Sequence, residues 1–282
     1  MTARPRVAFQ GELGAFSHEA CRLYAPGHEP TPFADFESAL EAVKARRCDL
    51  GMIPVENSTA GRVGEVHHLL PESGLKIVGE RFKPIHFQLM AAPGARLEDI
   101  EVVASMPIAL GQCRKLVRRL KARTEAAGDT AGAAKALAAD PAPGRAVLAP
   151  ALAAELYGLE ILLHDVEDET HNTTRFLVMT GEADPPRPPA GVSCVTRFVF
   201  RVRNLPAALY KGLGGFATNG VNMTKLESYM ENGAFTATFF YAEVDGRPEE
   251  PALARAFEEL GFFSDHFEIL GVYPADPFRA EA

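Results

Sequence analysis

The residues best suited to chemistry form one short polar run, Asn-Thr-Thr-Arg at positions 172–175, which leads into the apolar residues 176–179. An apolar run with aromatic and branched side chains predicts a strand that is buried on both faces. The polar residues would then lie where a loop enters that strand, held by the sheet and open to a cleft. An amide, two hydroxyls and a guanidinium suit a small anionic substrate. The alternative is two ordinary strand threonines and a surface charge at Arg175.

A second polar run, Glu-Asn-Ser-Thr at positions 56–59, follows a predicted buried strand at residues 49–55. In open α/β sheets, ligands bind at the carboxyl ends of the strands, which is where this run would lie. Gly61 and Gly64 permit tight turns before a helix that the next apolar residues indicate. The alternative to a binding site here is a capped loop.

Two further segments carry candidate binding groups. Residues 10–20 place two glycines before a helix with a polar start, an arrangement that presents backbone N–H groups to an anion. The spacing is neither GxGxxG nor a P-loop, so a nucleotide is not expected, and a plain strand-to-helix turn is the alternative. Gln112 lies near the start of a helix predicted from Pro107 to about residue 122. Its amide either enters a cleft or is merely solvated.

These candidates must be positioned by alternating strands and helices. Helical spacing of apolar residues predicts a helix at residues 36–47, and the Ala-rich stretch at 126–154 predicts two helices around a short strand. The alternation predicts a mostly parallel sheet, with two lobes if the chain crosses back. Strands are predicted at residues 6–9, 49–55, 75–78, 85–90, 101–105, 146–148, 161–166 and 176–179.

A change of pattern follows residues 181–191, where four prolines cannot join a helix or a central strand. The remaining chain predicts strands at 193–202, 222–229, 236–244 and 267–273, and helices at 206–217 and 251–260. An Asn-Gly pair at 232–233 predicts a hairpin turn between the second and third strands. The order β-α-β-β-α-β is that of a ferredoxin-like module. Such a module is as suited to regulation or dimerisation as to catalysis.

Composition excludes several classes of function. The chain has 282 residues, which predicts about two domains, and its net charge of -8 argues against nucleic-acid binding. The widely spaced Cys21, Cys48, Cys113 and Cys194 contain no CxxC pair, so we expect packed, reduced thiols and no metal site. Residues 1–6 lead straight into a strand, and no stretch has the apolar length of a membrane helix. These observations predict a cytoplasmic protein without a membrane partner.

Four segments together resemble one family. Residues 172–176 match Asn-x-Thr-Arg-Phe, residues 54–58 match Pro-[Ile/Val]-Glu-Asn-Ser, and residues 11–17 match Gly-x-x-Gly-[Ala/Ser]-[Phe/Tyr]-Ser. Residues 105–113 match Ser-His-Pro-x-x-x-x-Gln-Cys, except that Met106 replaces the histidine. Over essentially its whole length the chain resembles prephenate dehydratase, and its C-terminal module resembles the ACT domain that binds phenylalanine and inhibits these enzymes.

The resemblance implies an α/β fold class. It comprises a two-lobed, periplasmic-binding-protein-like catalytic domain and a ferredoxin-like βαββαβ ACT domain. The catalytic domain is expected at residues 4–181, with lobes at 4–78 plus 167–181 and at 79–166. A Pro-rich linker at 182–192 and an ACT domain at 193–275 follow. A homodimer or homotetramer is implied, and a fused chorismate mutase segment is not expected because little chain precedes Val7.

The implied activity converts prephenate to phenylpyruvate, carbon dioxide and water, a carbon–oxygen lyase reaction. Formation of the aromatic ring drives it, so no cofactor and no metal are expected. The resemblance assigns Thr174 as the catalytic proton donor or hydrogen-bond partner of the leaving oxygen, and Arg175 as a ligand of a substrate carboxylate. The other expected substrate-binding residues are Ser17, Glu56, Asn57, Ser58, Thr59, Gln112, Asn172, Thr173 and Phe176.

The ACT resemblance implies feedback inhibition by L-phenylalanine bound between two modules. The pocket is altered, since residues 205–209 replace the usual Gly-Ala-Leu-Val and residues 227–230 replace Glu-Ser-Arg-Pro. The expected effector-binding residues are Leu205, Pro206, Ala207, Ala208, Leu209, Asn222, Met223, Thr224, Glu227 and Ser228. The alternative functions are an arogenate dehydratase, which uses the same motifs on an amino-acid substrate, and a non-catalytic amino-acid-sensing protein.

Overall fold

The computed structural model describes residues 4–230 and 237–280, which form two compact units. Unit 1 contains residues 4–73 and 81–177, and unit 2 contains residues 74–80 and 178–280 apart from the gap. The Asn-Gly turn expected at 232–233 lies outside the described residues. Among the described residues, no helix is both long and apolar enough to cross a membrane.

The first sheet of unit 1 has the strand order β2-β1-β3-β11. Strand β1 runs parallel to both β2 and β3, and the two-residue β4 folds back antiparallel on β3. Helix α2 begins after Asp35, because the Asp35 carboxylate accepts the Ser38 backbone N–H at 2.7 Å. The elements are β1 (Arg6–Gln10), α1 (Phe16–Tyr24), β2 (Glu29–Phe33), α2 (Phe36–Lys44), β3 (Leu50–Asn57), β4 (Gly61–Arg62), α3 (Gly64–Glu72) and β11 (Thr173–Thr180).

The second sheet of unit 1 has the order β10-β6-β9-β7-β8. Its elements are β6 (Gln88–Ala91), β7 (Val102–Ser105), α4 (Pro107–Gln112), α5 (Arg114–Leu120), β8 (Arg123–Ala126), α6 (Thr130–Ala139), β9 (Arg145–Ala149), α7 (Ala151–Tyr157) and β10 (Glu160–Leu163). Strand β7 is parallel to β8 and β9, but β6 is antiparallel to β9 and β10. The prediction of a mostly parallel sheet is therefore wrong for the second sheet, in which two of the four strand pairings are antiparallel. The chain enters β6 through an extended crossover rather than a helix, so the strand runs against its neighbours.

Both faces of the second sheet are covered by helices. Val103 packs into one hydrophobic cluster with Leu116, whereas Ala104 packs into another with Leu137. Successive strand residues thus enter opposite cores, which is the alternation expected for a sheet buried on both faces. All four cysteines are free and buried, as predicted.

Unit 2 has the predicted β-α-β-β-α-β order, and its four strands form an antiparallel sheet in the order β13-β14-β12-β15. Its elements are β12 (Cys194–Val202), α8 (Ala208–Thr218), β13 (Met223–Met230), β14 (Ala237–Asp245), α9 (Pro251–Phe263) and β15 (Ser264–Pro274). Helix α8 begins two residues later than predicted, because Ala207 adopts a left-handed conformation with φ 58°. Helices α8 and α9 pack closely at Gly215, where a Cβ would lie 2.8 Å from Glu259 Cβ.

Residues 76–80 of β5 (Lys76–Pro84) also belong to unit 2, where Ile77 lies opposite Gly271 of β15. A side chain at Gly271 would collide with the Ile77 carbonyl, so this strand contact requires glycine. Beside it, Arg279 donates to the Glu80 and Glu243 carboxylates at 3.0 Å each. Glu80 and Glu243 are both essentially inaccessible to solvent.

Candidate active site

The two predicted polar runs lie side by side on neighbouring strands. Strand β3 extends through Asn57 and β11 begins at Thr173, so Glu56, Asn57 and Thr174 belong to strands, not to the predicted loops. The Ser58 backbone N–H donates to the Thr173 carbonyl, and the Thr173 N–H donates to Ser58 Oγ, each at 2.9 Å. These bonds hold two segments together that are 115 residues apart in the chain.

Asn57 orients the centre of the site. Its Oδ1 accepts the backbone N–H groups of Thr59 at 3.0 Å and Ala60 at 2.8 Å. A backbone N–H is only a donor, so these contacts identify the oxygen end of the amide. Its Nδ2 therefore donates to Asn172 Oδ1 at 2.7 Å and to Thr174 Oγ1 at 3.0 Å. The hydroxyl proposed for catalysis thus accepts a hydrogen bond whose direction is fixed by the backbone.

Gln112 joins this network from the second sheet. Its Nε2 donates to Thr59 Oγ1 and to Asn57 Oδ1, the latter at 3.2 Å, while its Oε1 accepts from Asn172 Nδ2 at 3.3 Å. Asn172 Oδ1 already accepts from Asn57, so the nitrogen of Asn172 is the end that faces Gln112. The amide of Gln112 therefore connects α4 to the candidate residues of the first sheet.

A break in the helix places Gln112. The continuous helix predicted from Pro107 to about residue 122 is wrong, since α4 ends at Gln112 and Cys113 has φ -124° and ψ 32°. The Asp168 carboxylate accepts the Arg114 and Lys115 backbone N–H groups at 3.1 and 3.0 Å, and its own N–H donates to the Gln112 carbonyl at 2.7 Å. Asp168 thus caps α5 and fixes the end of α4.

The network borders a cavity of about 140 Å³. Three predicted residues, Thr59, Gln112 and Asn172, line it. The acidic segment 167–169 and Arg114 also line it, and the sequence motifs did not indicate them. The lining residues are Thr59, Gly111, Gln112, Arg114, Glu167, Asp168, Glu169 and Asn172. Typical small-molecule sites have about 300–1,000 Å³, so this cavity is smaller than a usual binding site.

Glu56 and Arg175 form a separate pair. Arg175 Nη1 donates to Glu56 Oε2 at 3.0 Å, and the guanidinium lies 5.6 Å from the centre of the Phe82 ring. Successive side chains of a strand point to opposite faces, which places this pair across the sheet from Asn57 and Thr174. The Arg175 side chain is 7% exposed and does not line the cavity.

Two other predicted substrate-binding residues are buried outside the cavity lining. Phe176 is a core residue of β11, and Ser17 is buried in the first turn of α1. Next to Ser17, the His18 ring stacks on Phe9, and its Nδ1 accepts the Gly14 backbone N–H at 2.9 Å. Burial disfavours the charged imidazole, and nearby Arg22 adds to this, so the pKa of His18 is below its usual value.

The expected effector residues of unit 2 are spread over two segments. Leu209 and Met223 pack against the core under α8, whereas Leu205, Thr224 and Ser228 are exposed. Other polar groups have partners nearby: Asn222 Nδ2 donates to Asp245 Oδ2 at 2.7 Å, and Glu227 pairs with Lys225 at 2.9 Å. A cavity of about 260 Å³ in unit 2 is lined instead by residues 184–188, 247–249 and parts of β5 and β15. Pro206, Ala207 and Ala208 form the turn into α8.

Comparison with known proteins identifies the family. A family model described as prephenate dehydratase matches residues 7–184. A protein of Komagataeibacter europaeus named bifunctional N-acyl-homoserine lactone acylase/prephenate dehydratase is 49% identical over 273 residues, which are 97% of each chain. Arogenate dehydratase/prephenate dehydratase 2 of Arabidopsis thaliana is 34% identical and is matched over 97% of this chain and 74% of its own. The chain belongs to the prephenate dehydratase family.

The fold agrees with this membership. The prephenate dehydratase of Arthrobacter aurescens, solved in complex with L-Phe, superposes with a TM-score of 0.87 at 30% identity. The match covers 96% of this chain and 90% of that one. The mixed α/β architecture with two sheets is thus that of a solved prephenate dehydratase.

Proposed function

We propose that this protein is a prephenate dehydratase that uses Thr174 to assist departure of the ring hydroxyl. The observation that carries the proposal is the hydrogen bond from Asn57 Nδ2 to Thr174 Oγ1 at 3.0 Å. A hydroxyl has one proton and two lone pairs, and the donor at Asn57 occupies a lone pair. The Thr174 proton is therefore directed to another acceptor, which is the role that a leaving oxygen requires.

The reaction consumes one proton and releases water and carbon dioxide. The bond from the ring to its carboxylate breaks, its electrons complete the aromatic ring, and the bond to the hydroxyl breaks as that oxygen receives a proton. A Thr hydroxyl is a weak acid, so Thr174 acts by hydrogen bonding or proton relay. The hydrogen bond from Asn57 polarises the Thr174 hydroxyl. The hydrogen bond that Thr174 donates is strengthened as a result, because linked hydrogen bonds reinforce one another.

Substrate entry requires movement within unit 1. A cavity of about 140 Å³ is too small for a ten-carbon dicarboxylate, and Gln112 occupies one side of it. We infer that the second sheet moves away from the first when substrate enters, and that the amides of Gln112, Asn57 and Asn172 then bind its polar groups. Closure around the substrate excludes water. Arg175 lies across the sheet from Thr174 and pairs with Glu56, so it would bind a substrate carboxylate only if this pair opened during the movement. Ser17 and Ser58 stay predicted contributors to the polar surroundings.

The test is formation of phenylpyruvate from prephenate, followed by the absorbance of its enol in alkali. Thr174→Val keeps the shape and removes the hydroxyl, so we expect kcat to fall about 10²–10⁴-fold, the usual contribution of a positioned proton donor. Thr174→Ser should retain most of the activity. Thr180→Val, the same change at the opposite end of β11 and away from the cavity lining, is the control. Wild-type turnover in a folded Thr174→Val protein would refute the role of Thr174.

The nearest alternative is an arogenate dehydratase, and the name of the Arabidopsis relative includes both substrates. Arogenate carries an amino group where prephenate carries a keto group, so the ring chemistry at Thr174 is the same. The ratio of kcat/KM for the two substrates decides between them. Inactivity toward both would favour the amino-acid-sensing alternative.

We further propose that residues 193–275 are an ACT domain that binds L-phenylalanine between two copies in a homodimer or homotetramer. The β-α-β-β-α-β order of unit 2 and the L-Phe complex of the Arthrobacter relative support this proposal. Residues 4–181 would then be the catalytic domain and residues 182–192 the linker. Calorimetry with L-phenylalanine, together with inhibition assays and sedimentation, tests it. Absence of binding to the assembled protein would refute it.

A second candidate activity is hydrolysis of N-acyl-homoserine lactones at the amide bond. It is favoured by the name of the Komagataeibacter relative, with which the chain shares 49% identity over nearly its whole length. A thiol nucleophile is a poor candidate, because burial raises the pKa of all four cysteine thiols. Release of homoserine lactone by wild type and by Thr174→Val tests whether this activity exists and whether it shares the dehydratase site.

A further inference from the structure

The chain crosses between the two sheets of unit 1 twice, at residues 85–87 and at residues 164–172. The two crossovers pair with each other. Ile85 N–H donates to the Asn172 carbonyl and Val166 N–H donates to the Phe87 carbonyl, each at 2.9 Å. Any movement of one sheet relative to the other would have to bend these paired segments, which are called the hinge segments below.

Three side chains from the two crossovers converge on one point. His86 Nδ1 lies 2.7 Å from Glu167 Oε1 and 3.9 Å from Asp165 Oδ1. One ligand atom from each residue lies within 4.8 Å of the other two. In the part of the chain that the structure describes, no other group of three or more His, Cys, Asp or Glu residues converges in this way.

We propose that His86, Asp165 and Glu167 bind a divalent transition-metal cation of the Zn²⁺ class at this hinge, with water completing the coordination. One imidazole nitrogen with two carboxylates is a borderline donor set that suits such ions, whereas Mg²⁺ and Ca²⁺ prefer oxygen alone. Ligand atoms on a tetrahedral Zn²⁺ lie roughly 3.0–3.4 Å apart. The His86 side chain is 51% exposed and can rotate to reach these separations from the two carboxylates.

The surrounding contacts hold the carboxylates in place. Glu167 has a side chain that is 5% exposed, and its Oε2 accepts the Phe87 backbone N–H at 2.9 Å, which leaves Oε1 directed at His86. Buried Gln88 donates through Nε2 to Asp165 Oδ1 at 3.1 Å, and its Oε1 accepts the Asp165 backbone N–H at 3.3 Å. Such outer contacts are typical of metal ligands, whose orientation they fix.

A cation here would connect the two crossovers through side chains as well as backbone. It would stabilise the hinge conformation in which the three ligands converge, relative to any conformation in which they separate. The alternative is that His86 and Glu167 form an ordinary ion pair. The metal site and the plain ion pair are distinguished by whether the full chain binds a metal ion through His86, Asp165 and Glu167.

Zinc titration of the full chain tests the proposal. The protein should be freed of polyhistidine tag, stripped with a chelator, and titrated with Zn²⁺ in a calorimeter. We expect one saturable site per chain, and about tenfold or more weaker binding for His86→Ala and for Glu167→Gln, the usual loss for a removed ligand or its support. His68→Ala, which removes an exposed histidine of α3, should bind like wild type.

Circular dichroism establishes that each variant is folded, and if His86→Ala is not, Glu167→Gln and Asp165→Asn provide the comparison. Absence of saturable binding to wild type, or wild-type affinity in the folded ligand variants, would refute the site. Titration with Co²⁺ gives a second readout, because a thiolate ligand adds a sulfur charge-transfer band. That band, or displacement of Zn²⁺ by excess Mg²⁺, would also refute the assigned ligands.

Discussion

In the proposed mechanism, Thr174 can donate its proton to substrate only while the side chain at position 57 remains a hydrogen-bond donor. Thr59 and Ala60 backbone N–H groups hold Asn57 Oδ1, and this leaves Nδ2 facing Thr174 at 3.0 Å. A group that accepted hydrogen bonds at the same place would attract the Thr174 proton away from substrate. The proposed chemistry thus depends on one atom, the Nδ2 nitrogen of Asn57.

Asn57→Asp replaces that nitrogen with oxygen at almost constant shape. Its first oxygen keeps both backbone N–H groups, while its second accepts the Thr174 proton, so we expect kcat to fall about 100-fold or more. Asn172→Asp is the matched comparison, because it leaves the donor to Thr174 in place and changes an amide proposed to bind substrate, so its loss should appear mainly in KM. Steady-state kinetics of both folded variants separates kcat from KM, and equal losses of kcat would contradict the role assigned to Asn57.

His18 should make the folded state less stable in mild acid. Its pKa is lowered from 6.5 in the folded protein, so below pH 6.5 the unfolded chain binds more protons than the folded one. Stability is therefore lost as pH falls from 6.5 through the folded pKa, by at most about 1.4 kcal/mol per pH unit from this group. Protonation also removes the acceptor for the Gly14 N–H.

Urea unfolding at pH 7.5 and pH 5.5 tests this prediction when wild type is compared with His18→Asn. Asparagine places an acceptor near the position of Nδ1 and does not titrate in this range. The stability difference between the two proteins should shift in favour of the variant at the lower pH. An identical difference at both pH values would contradict the assignment to His18.

Much of this residue-scale picture could be predicted from the sequence. Asn57, Gln112, Asn172 and Thr174 are motif residues, and Thr59 ends the polar run at 56–59. The structure brings all five into one hydrogen-bonded network. The sequence could not indicate the partner of Arg175, because Glu56 is 119 residues away and only strand pairing brings the two together. Nor could it reveal the role of Asp168, which depends on a helix break.

At the scale of elements, the apolar pattern predicted the centres of strands better than their ends. Strands β3 and β11 continue into polar residues because those side chains face other polar groups at the site, where burial no longer selects apolar residues. The pattern also missed β2 and β8, which lie at the edges of their sheets. Two prolines in β2 and four exposed side chains in β8 remove the usual strand signal.

The break between α4 and α5 gives an element-scale prediction. Asp168→Ala should cost about 0.5–2 kcal/mol, as other lost caps do, because the first N–H groups of α5 lose their acceptor. It should also lower kcat/KM by roughly tenfold, since the end of α4 that carries Gln112 is no longer held in place. Urea unfolding and steady-state kinetics measure the two effects.

Asp129→Ala supplies the control for Asp168→Ala. Asp129 caps α6 by accepting the Gly132 N–H at 2.7 Å, and it does not line the cavity. The stability cost should be similar, whereas kcat/KM should be unchanged. A comparable loss of kcat/KM in both variants would mean that Asp168 acts only through general stability.

At the scale of the whole chain, charges that are distant in sequence meet inside unit 2. Arg279 pairs with Glu80 and Glu243, which are 199 and 36 residues away in the chain. Arg197 also pairs with Glu243, and the Arg197 guanidinium lies 4.5 Å from the centre of the Tyr241 ring. The order of helices and strands in unit 2 was predictable from apolar periodicity. These pairs were not, because an isolated charged residue is normally solvated and its sequence context does not identify a distant partner.

Arg279→Leu should therefore destabilise unit 2 strongly. Removing one partner of a buried ion pair costs about 3–5 kcal/mol, and the Arg279 side chain is 20% exposed, so we expect about 2–3 kcal/mol. Adding Glu80→Gln should recover part of the loss, since the buried carboxylate that lacks its cation is then neutral.

Arg187→Leu is the control, because its pair with Glu249 is equally short but mostly exposed, and it should cost less than about 1 kcal/mol. Thermal unfolding of the three variants measures these differences, and equal losses for Arg187→Leu and Arg279→Leu would show that burial of the carboxylates does not set the cost.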